Sequence, residues 1–177
     1  MFALTKILVP TNHGDPSRAA IRYGVAFARQ FGAQLYLVHA LPDGELESVI
    51  EIERVIETLL PETIPELVPA AGPDPDQVAK NAARGDLSGL LDPQEERDVR
   101  AEYLLRGTGS QGPGGAIVAC ANELGVELIV MGKHRLGFVE HLLAGSVTEN
   151  VIRNAPCPVL IVQHPEQEFV VPDEPEA

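Results

Sequence analysis

The sequence predicts an α/β fold: one five-stranded parallel sheet flanked by helices, with an enlarged insertion between the second and third strands. Three observations carry this. Short apolar runs near residues 7–9, 35–41, 127–131 and 158–162 are bounded by turn residues, the pattern of strands buried on both faces in a parallel sheet. Between them lie stretches with apolar residues at helical spacing, and strands that alternate with helices build parallel sheets. The 177 residues suffice for one well-buried core and are too few for two comfortable ones.

Each element follows from its residues. Ile7, Leu8 and Val9 form the first strand, which ends at Pro10. Asp15 is placed to cap the next helix, with Pro16 in its first turn, where a missing N–H costs nothing. Ala19, Ala20, Tyr23, Ala26 and Phe27 then recur at helical spacing until Gly32 closes the helix. Residues 35–41 are the second strand, so the chain opens with a βαβ unit whose crossover is expected to be right-handed.

The insertion, residues 42–98, reads less simply. Leu46, Val49, Ile50, Ile56, Leu59 and Leu60 mark an amphipathic helix, rich in Glu on its other side, that is expected to end at Pro61. Five prolines from Pro61 to Pro75 exclude a continuous helix there and give an extended or turning connection. Residues 76–91 hold one helix or two, broken near Gly85 and Gly89, and Asp92-Pro93 reads as a cap and first turn.

Alternation at Val99, Ala101, Tyr103 and Leu105 marks the third strand. A glycine-rich loop, residues 107–115, leads into a helix carrying Ile117, Val118, Cys120, Ala121 and Leu124, stopped at Gly125. Residues 164–177 are acidic, contain Pro165, Pro172 and Pro175, and are expected to be a disordered tail behind a domain of residues 1–163.

Composition excludes several function classes. Apolar residues are 45% and charged residues 22% of the chain, an ordinary globular balance. A formal net charge of −13 opposes general binding to nucleic acid or to an anionic membrane surface. Cys120 and Cys157 lie far apart without metal-like spacing and read as small core residues. His13, His39, His134, His141 and His164 are too scattered for a metal site; His39 reads as a partly buried, hydrogen-bonded strand residue and His141 as helix surface. No nucleophile with a nearby partner and no GxSxG occurs, and the runs Glu51-Ile52-Glu53 and Gln94-Glu95-Glu96 read as solvated helix faces. No catalytic residue and no metal ligand is therefore assigned, and the chain is read as not an enzyme. The N-terminus lacks a signal-peptide pattern and no run approaches the ~20 apolar residues of a spanning helix, so a soluble, cytoplasmic protein is expected.

The functional signal is concentrated in residues 128–162. A buried strand ends at Gly132 and hands over to Lys133, His134 and Arg135, then comes a helix, then a second buried strand. Loops between the carboxyl end of a parallel strand and a helix N-terminus collect anions, because the first helical N–H groups lack partners and the dipole adds positive potential. Three consecutive basic-type residues in so acidic a chain reverse the local sign of charge. Gly132, Gly145 and Ser146 also have a purely structural reading, as tight turns and a helix cap.

Gly132-Lys133-His134-Arg135, then nine residues, then Gly145-Ser146-Val147, followed by Ala155-Pro156-Cys157-Pro158-Val159, resembles the universal stress protein family. The frame Lys6-Ile7-Leu8-Val9-Pro10-Thr11-Asn12 is similar to that family's first strand and turn, and Leu35-Tyr36-Leu37-Val38-His39-Ala40 to its second strand. The resemblance implies a Rossmann-like sheet, a stress or signalling role, and binding of an adenine nucleotide, ATP or AMP. It implies contacts from Pro10, Thr11, Asn12, Ala40, Met131, Gly132, His134, Arg135, Gly145, Ser146 and Val147. It also implies a homodimer formed through the last strand, Val159 onward.

Two positions depart from the family pattern. Asn12 stands where members usually have Asp; an amide both donates and accepts, whereas an ionised carboxylate only accepts. Arg135 stands where ATP-binding members have their second glycine. Its side chain either fills the phosphate groove, leaving an abandoned site, or lays a guanidinium fork on a phosphate. The alternative function is a nucleotide-independent interaction or regulatory module that recruits a protein partner through the insertion or the tail. An adenylylating ligase ranks last, because Thr11-Asn12-His13-Gly14-Asp15 replaces the SGGxDS-like loop such enzymes need.

Overall fold

A computed structural model describes residues 3–12, 14–63, 75–87, 89–132 and 146–162. The strands are β1 (Lys6–Thr11), β2 (Gln34–Leu41), β3 (Arg100–Gly107), β4 (Leu128–Gly132) and β5 (Val159–Val162). The helices are α1 (Asp15–Phe31), α2 (Asp43–Thr63), α3 (Pro75–Leu87), α4 (Pro93–Asp98), α5 (Gly112–Leu124) and α6 (Ser146–Asn154), with a short 3₁₀ turn at Gly109–Gln111. The sheet has the order β3-β2-β1-β4-β5 and every pair is parallel. The five-stranded parallel sheet flanked by helices is thus the architecture observed.

Side chains alternate along each strand, so the apolar runs feed two cores at once. Ile7, Val9, Leu35, Leu37 and Val130 pack on one face against Ala20, Ile21, Val25 and Ala28 of α1. Leu8, Tyr36, Val38, Ile129 and Met131 pack on the other against Ile117, Cys120 and Ala121 of α5 and Val151 of α6. In register, Val9 lies beside Leu37 and Ile7 beside both Leu35 and Leu128. A clip ties the start of β4 to β1: Glu127 Oε2 accepts from Thr5 Oγ1 at 2.9 Å and from Lys6 N at 3.2 Å.

Several local expectations are corrected. The N-cap of α1 is Gly14, and Asp15 is the first helical residue. The reason lies one turn back: Asn12 Oδ1 accepts from Gly14 N at 3.2 Å and from Ser17 Oγ at 2.8 Å, so Asn12 organises the helix start. Helix α2 continues past Pro61 to Thr63, because a proline in the last turn removes only one ladder bond. Helix α3 runs unbroken through Gly85, since one helical glycine costs only ~1 kcal/mol, less than the burial of Val78, Ala82, Ala83 and Leu87 contributes. The break falls at Gly89, whose φ is 80°.

Other expectations hold. Asp92 Oδ1 accepts from Gln94 N and Glu95 N, both at 2.8 Å, while Glu95 Oε2 accepts from Asp92 N at 2.9 Å, a reciprocal capping box. Gly32 and Gly125 end α1 and α5 in the left-handed conformation, with φ of 64° and 61°. The proline-rich connection at residues 64–74 and the tail at residues 164–177 lie outside the described residues. No described helix is long and apolar enough to cross a membrane.

Two helical glycines should respond oppositely to alanine. A Cβ on Gly24 would stand 2.6 Å from Cγ2 of the fully buried Val9, whose β-branched side chain cannot swing away. Overpacking of this kind costs about 1–3 kcal/mol, against a helix-propensity gain of about 1 kcal/mol. Gly85 has nothing within 4 Å of the same atom. In urea titrations, Gly85→Ala should raise the midpoint by an amount worth about 0.5–1 kcal/mol, and Gly24→Ala should lower it.

Candidate functional site

The strand order reverses between β1 and β4: from β1 the chain moves outward to β2, and it later returns to the other side of β1 as β4. In open parallel sheets, ligands sit in the crevice at the carboxyl ends of the strands where this reversal occurs. A cavity of about 210 Å³ opens there. Its apolar wall includes Val38, Ile117, Met131 and Val147, and its polar wall Thr11, Asn12, Ser17, His39 and Thr148.

Three helices begin at this cavity. Ser17 belongs to the first turn of α1, Pro113 to that of α5, and Val147 and Thr148 to that of α6. The dipoles of these helices point their positive ends at the crevice, in a chain of net charge −13. The polar residues buried among the described ones are Thr11, Ser17 and Thr148, at 6%, 6% and 5% exposure, and all three line this one cavity. Ser17 accepts from Asn12 N at 3.3 Å and donates to Asn12 Oδ1. The Thr148 hydroxyl has no hydrogen bond to a described residue and is available to an occupant.

Gly132 closes the floor. A Cβ there would fall 2.0 Å from the carbonyl oxygen of Pro16, so only glycine lets the end of β4 pass the start of α1. Gly114 does the same service between α5 and α6, where a Cβ would meet Asn150 Cβ at 2.8 Å.

Of the residues expected from sequence, Pro10, Thr11, Asn12, Ala40, Met131, Gly132 and Val147 line the cavity together. Ser146 is the first residue of α6. His134, Arg135 and Gly145 lie outside the described residues. Sequence reasoning missed Ser17, Val38, Pro113, Ile117 and Thr148. The signal for Ser17 and Thr148 was a hydroxyl in the first turn after a strand-to-helix loop, which was passed over. His39, expected as a partly buried strand residue, is half-buried and lines the cavity.

Neither cysteine is poised as a nucleophile: Cys120 is buried, Cys157 half-buried, and burial pushes both thiols up. Among the described residues, no group of His, Cys, Asp and Glu is arranged to hold a metal ion.

The profile of the universal stress protein family matches residues 3–163. Universal stress protein MJ0531 of Methanocaldococcus jannaschii is 31% identical over 169 residues, which span 92% of this chain and 84% of that protein. The chain belongs to the universal stress protein family. The solved structure of MJ0577 from the same archaeon shares 26% identity with a TM-score of 0.53, covering 92% of this chain and 98% of that one. The universal stress protein from Archaeoglobus fulgidus, solved in complex with dAMP, has the same fold at 21% identity and a TM-score of 0.53, covering 92% of this chain and 100% of that one.

Within this universal stress protein, the demand for glycine at position 132 is testable apart from any ligand. Gly132→Ala must displace the Pro16 backbone and should cost about 1–3 kcal/mol in urea unfolding. A neutral result would show that β4 and α1 can separate freely at the cavity floor.

Proposed function

We propose that this is a cytoplasmic, adenine-nucleotide-binding stress or signalling protein that holds its ligand without rapid turnover. The observation that carries this reading is the convergence of three helix N-termini and all the buried hydroxyls among the described residues on one cavity with an apolar wall. Apolar surface suits a base, and hydroxyls with helix N-termini suit ribose and phosphate. The dAMP complex of the Archaeoglobus relative makes adenosine phosphates the first ligands to try.

In this reading Pro10, Thr11, Asn12, Ala40, Met131 and Val147 hold base and ribose. Gly132, His134, Arg135, Gly145 and Ser146 face the phosphates of ATP or AMP, and no metal ligand is assigned. Residues 1–163 form the nucleotide-binding domain and residues 164–177 an acidic appendage. The second reading is an interaction module without nucleotide, and what favours it is Arg135 in the place of a glycine.

Calorimetry with ATP and AMP on protein stripped of bound nucleotide tests this. The wild type should bind, and Arg135→Ala should weaken binding by roughly 1.5–3 kcal/mol, the range for hydrogen bonds to charged groups. Arg135→Gly should lose the fork, free the backbone, and restore ATP affinity relative to AMP. Should only Arg135→Gly bind, the native side chain plugs the groove. Failure of wild type, Arg135→Gly, Asn12→Asp and the double variant alike would end the nucleotide reading and leave the interaction module.

We also propose a homodimer through β5, which forms one edge of the sheet. Its residues Val159, Leu160 and Ile161 remain half-buried rather than covered, as expected of an edge that needs a partner. Ile161→Pro, which removes a ladder donor, should convert the dimer to monomer in sedimentation velocity. A wild type that is monomeric at high micromolar concentration contradicts this.

A further inference from the structure

The opposite edge of the sheet, β3, carries a feature that the nucleotide reading does not use. A cleft of about 670 Å³ is lined by Ala101, Glu102 and Tyr103 of β3 together with α3 and α4. A second cavity of about 230 Å³ is lined by residues 102–106 of the same strand with α2 and α3, and Lys80, Glu102 and Tyr103 belong to both. Alternate residues of a strand face opposite ways, so a groove touching consecutive residues from 101 to 106 runs along the strand's edge rather than over one face.

Among the described residues β3 pairs with β2 alone. Thr108 N donates to Leu41 O, toward β2. Main-chain groups alternate sides along a strand, so Leu104 and Arg106 also turn toward β2, while Tyr103 and Leu105 turn theirs outward. Among the described residues no strand lies beyond β3. Leu105 O instead accepts from the guanidinium of Arg106 at 3.1 Å.

The walls differ along its length. At the wide end Lys80 and Arg84 stand one helical turn apart on α3 and form no ion pair or side-chain hydrogen bond with a described residue. The lining holds more cations than carboxylates: Lys80, Arg84 and Arg97 stand with Glu96, which accepts from the Tyr103 hydroxyl at 2.5 Å, and Glu102. At the narrow end the lining includes Leu46, Ile50, Ala83 and Leu105. An excess of cations over carboxylates in the lining, in so acidic a chain, suits an occupant that brings carboxylates.

We propose that β3 is a docking edge for an extended acidic peptide of a partner protein. It would add as a sixth strand through the outward N–H groups of Tyr103 and Leu105 and the C=O of Tyr103, with a carboxylate against Lys80 and Arg84 and an apolar side chain at Leu46 and Ile50. Main-chain bonds supply affinity in this mode and the two ends of the groove supply specificity.

The test uses the full chain and a labelled octapeptide, Thr-Glu-Thr-Glu-Thr-Val-Thr-Val, in both sequence directions, with lysine-for-glutamate controls, read by fluorescence anisotropy. The acidic peptide should bind saturably and the lysine peptide roughly tenfold more weakly or worse. The charge reversal Lys80→Glu with Arg84→Glu should invert that order. Leu105→Pro removes an outward N–H and no ladder bond, so it should abolish binding with the urea midpoint nearly kept. Amide exchange at Tyr103 and Leu105 of the wild type, which needs no variant to fold, should slow on adding peptide. Absence of saturable binding, or binding that ignores the charge reversal, overturns the proposal. So does a dimer that Leu105→Pro dissolves, since the edge would then belong to a second copy.

Discussion

The burial of β1 on both faces is the constraint from which the rest of the molecule follows. Ile7, Leu8 and Val9 are fully buried, so no water reaches their backbone and its polar groups must be met by strands on both sides. β2 and β4 meet them. Those neighbours are parallel, and a parallel neighbour can only be reached by a long crossover, here α1 between β1 and β2. Each strand therefore hands the chain to a helix at the same end of the sheet. The gathering of helix N-termini at the carboxyl edge is a consequence of topology before it is a property of any ligand site.

Topology alone does not explain the hydroxyls. Burying a hydroxyl without full compensation costs about 1–3 kcal/mol, and Ser17 offsets this through its two contacts with Asn12. Thr148 makes no such bond to a described residue. It lies in the first turn of α6 beside the cavity, where valine would have the same shape and no polar cost. No buried side-chain nitrogen or oxygen among the described residues lacks a partner, so this hydroxyl meets its polar needs at the open space of the cavity.

How much of this was legible in the sequence depends on the physics that governs each part. β2 was read nearly to the residue because burial on both faces leaves an uninterrupted apolar run with sharp ends, whereas β1, read as residues 7–9 ending at Pro10, runs from Lys6 through Pro10 to Thr11 because the parallel pairing with β2 continues past the proline. The start of α1 was misplaced by one residue, since the side chain that organises it, Asn12, acts from outside the helix and Asp15 offered a simpler cap. Pro61 and Gly85 were over-read as breaks because local propensities of about 1–3 kcal/mol were weighed without the tertiary packing that opposes them. The cavity residues on β1 and β4 came from the family frame. Val38, Pro113 and Ile117 were invisible because they enter from strands and helices whose neighbours only the topology decides. The edge groove at β3 could not be read at all, since alternation identifies a strand without saying whether it lies at an edge.

Asn12 joins these threads. The Gly14 N–H can only donate, so the side-chain atom facing it at 3.2 Å must be the amide oxygen, and the same oxygen also takes the Ser17 hydroxyl. The acceptor of Asn12 is thereby committed to holding the start of α1. An aspartate could serve both donors with one oxygen in the same way. The departure from the family residue thus preserves the helix start. The fold tolerates the exchange because the one oxygen that holds the helix start is present in both side chains.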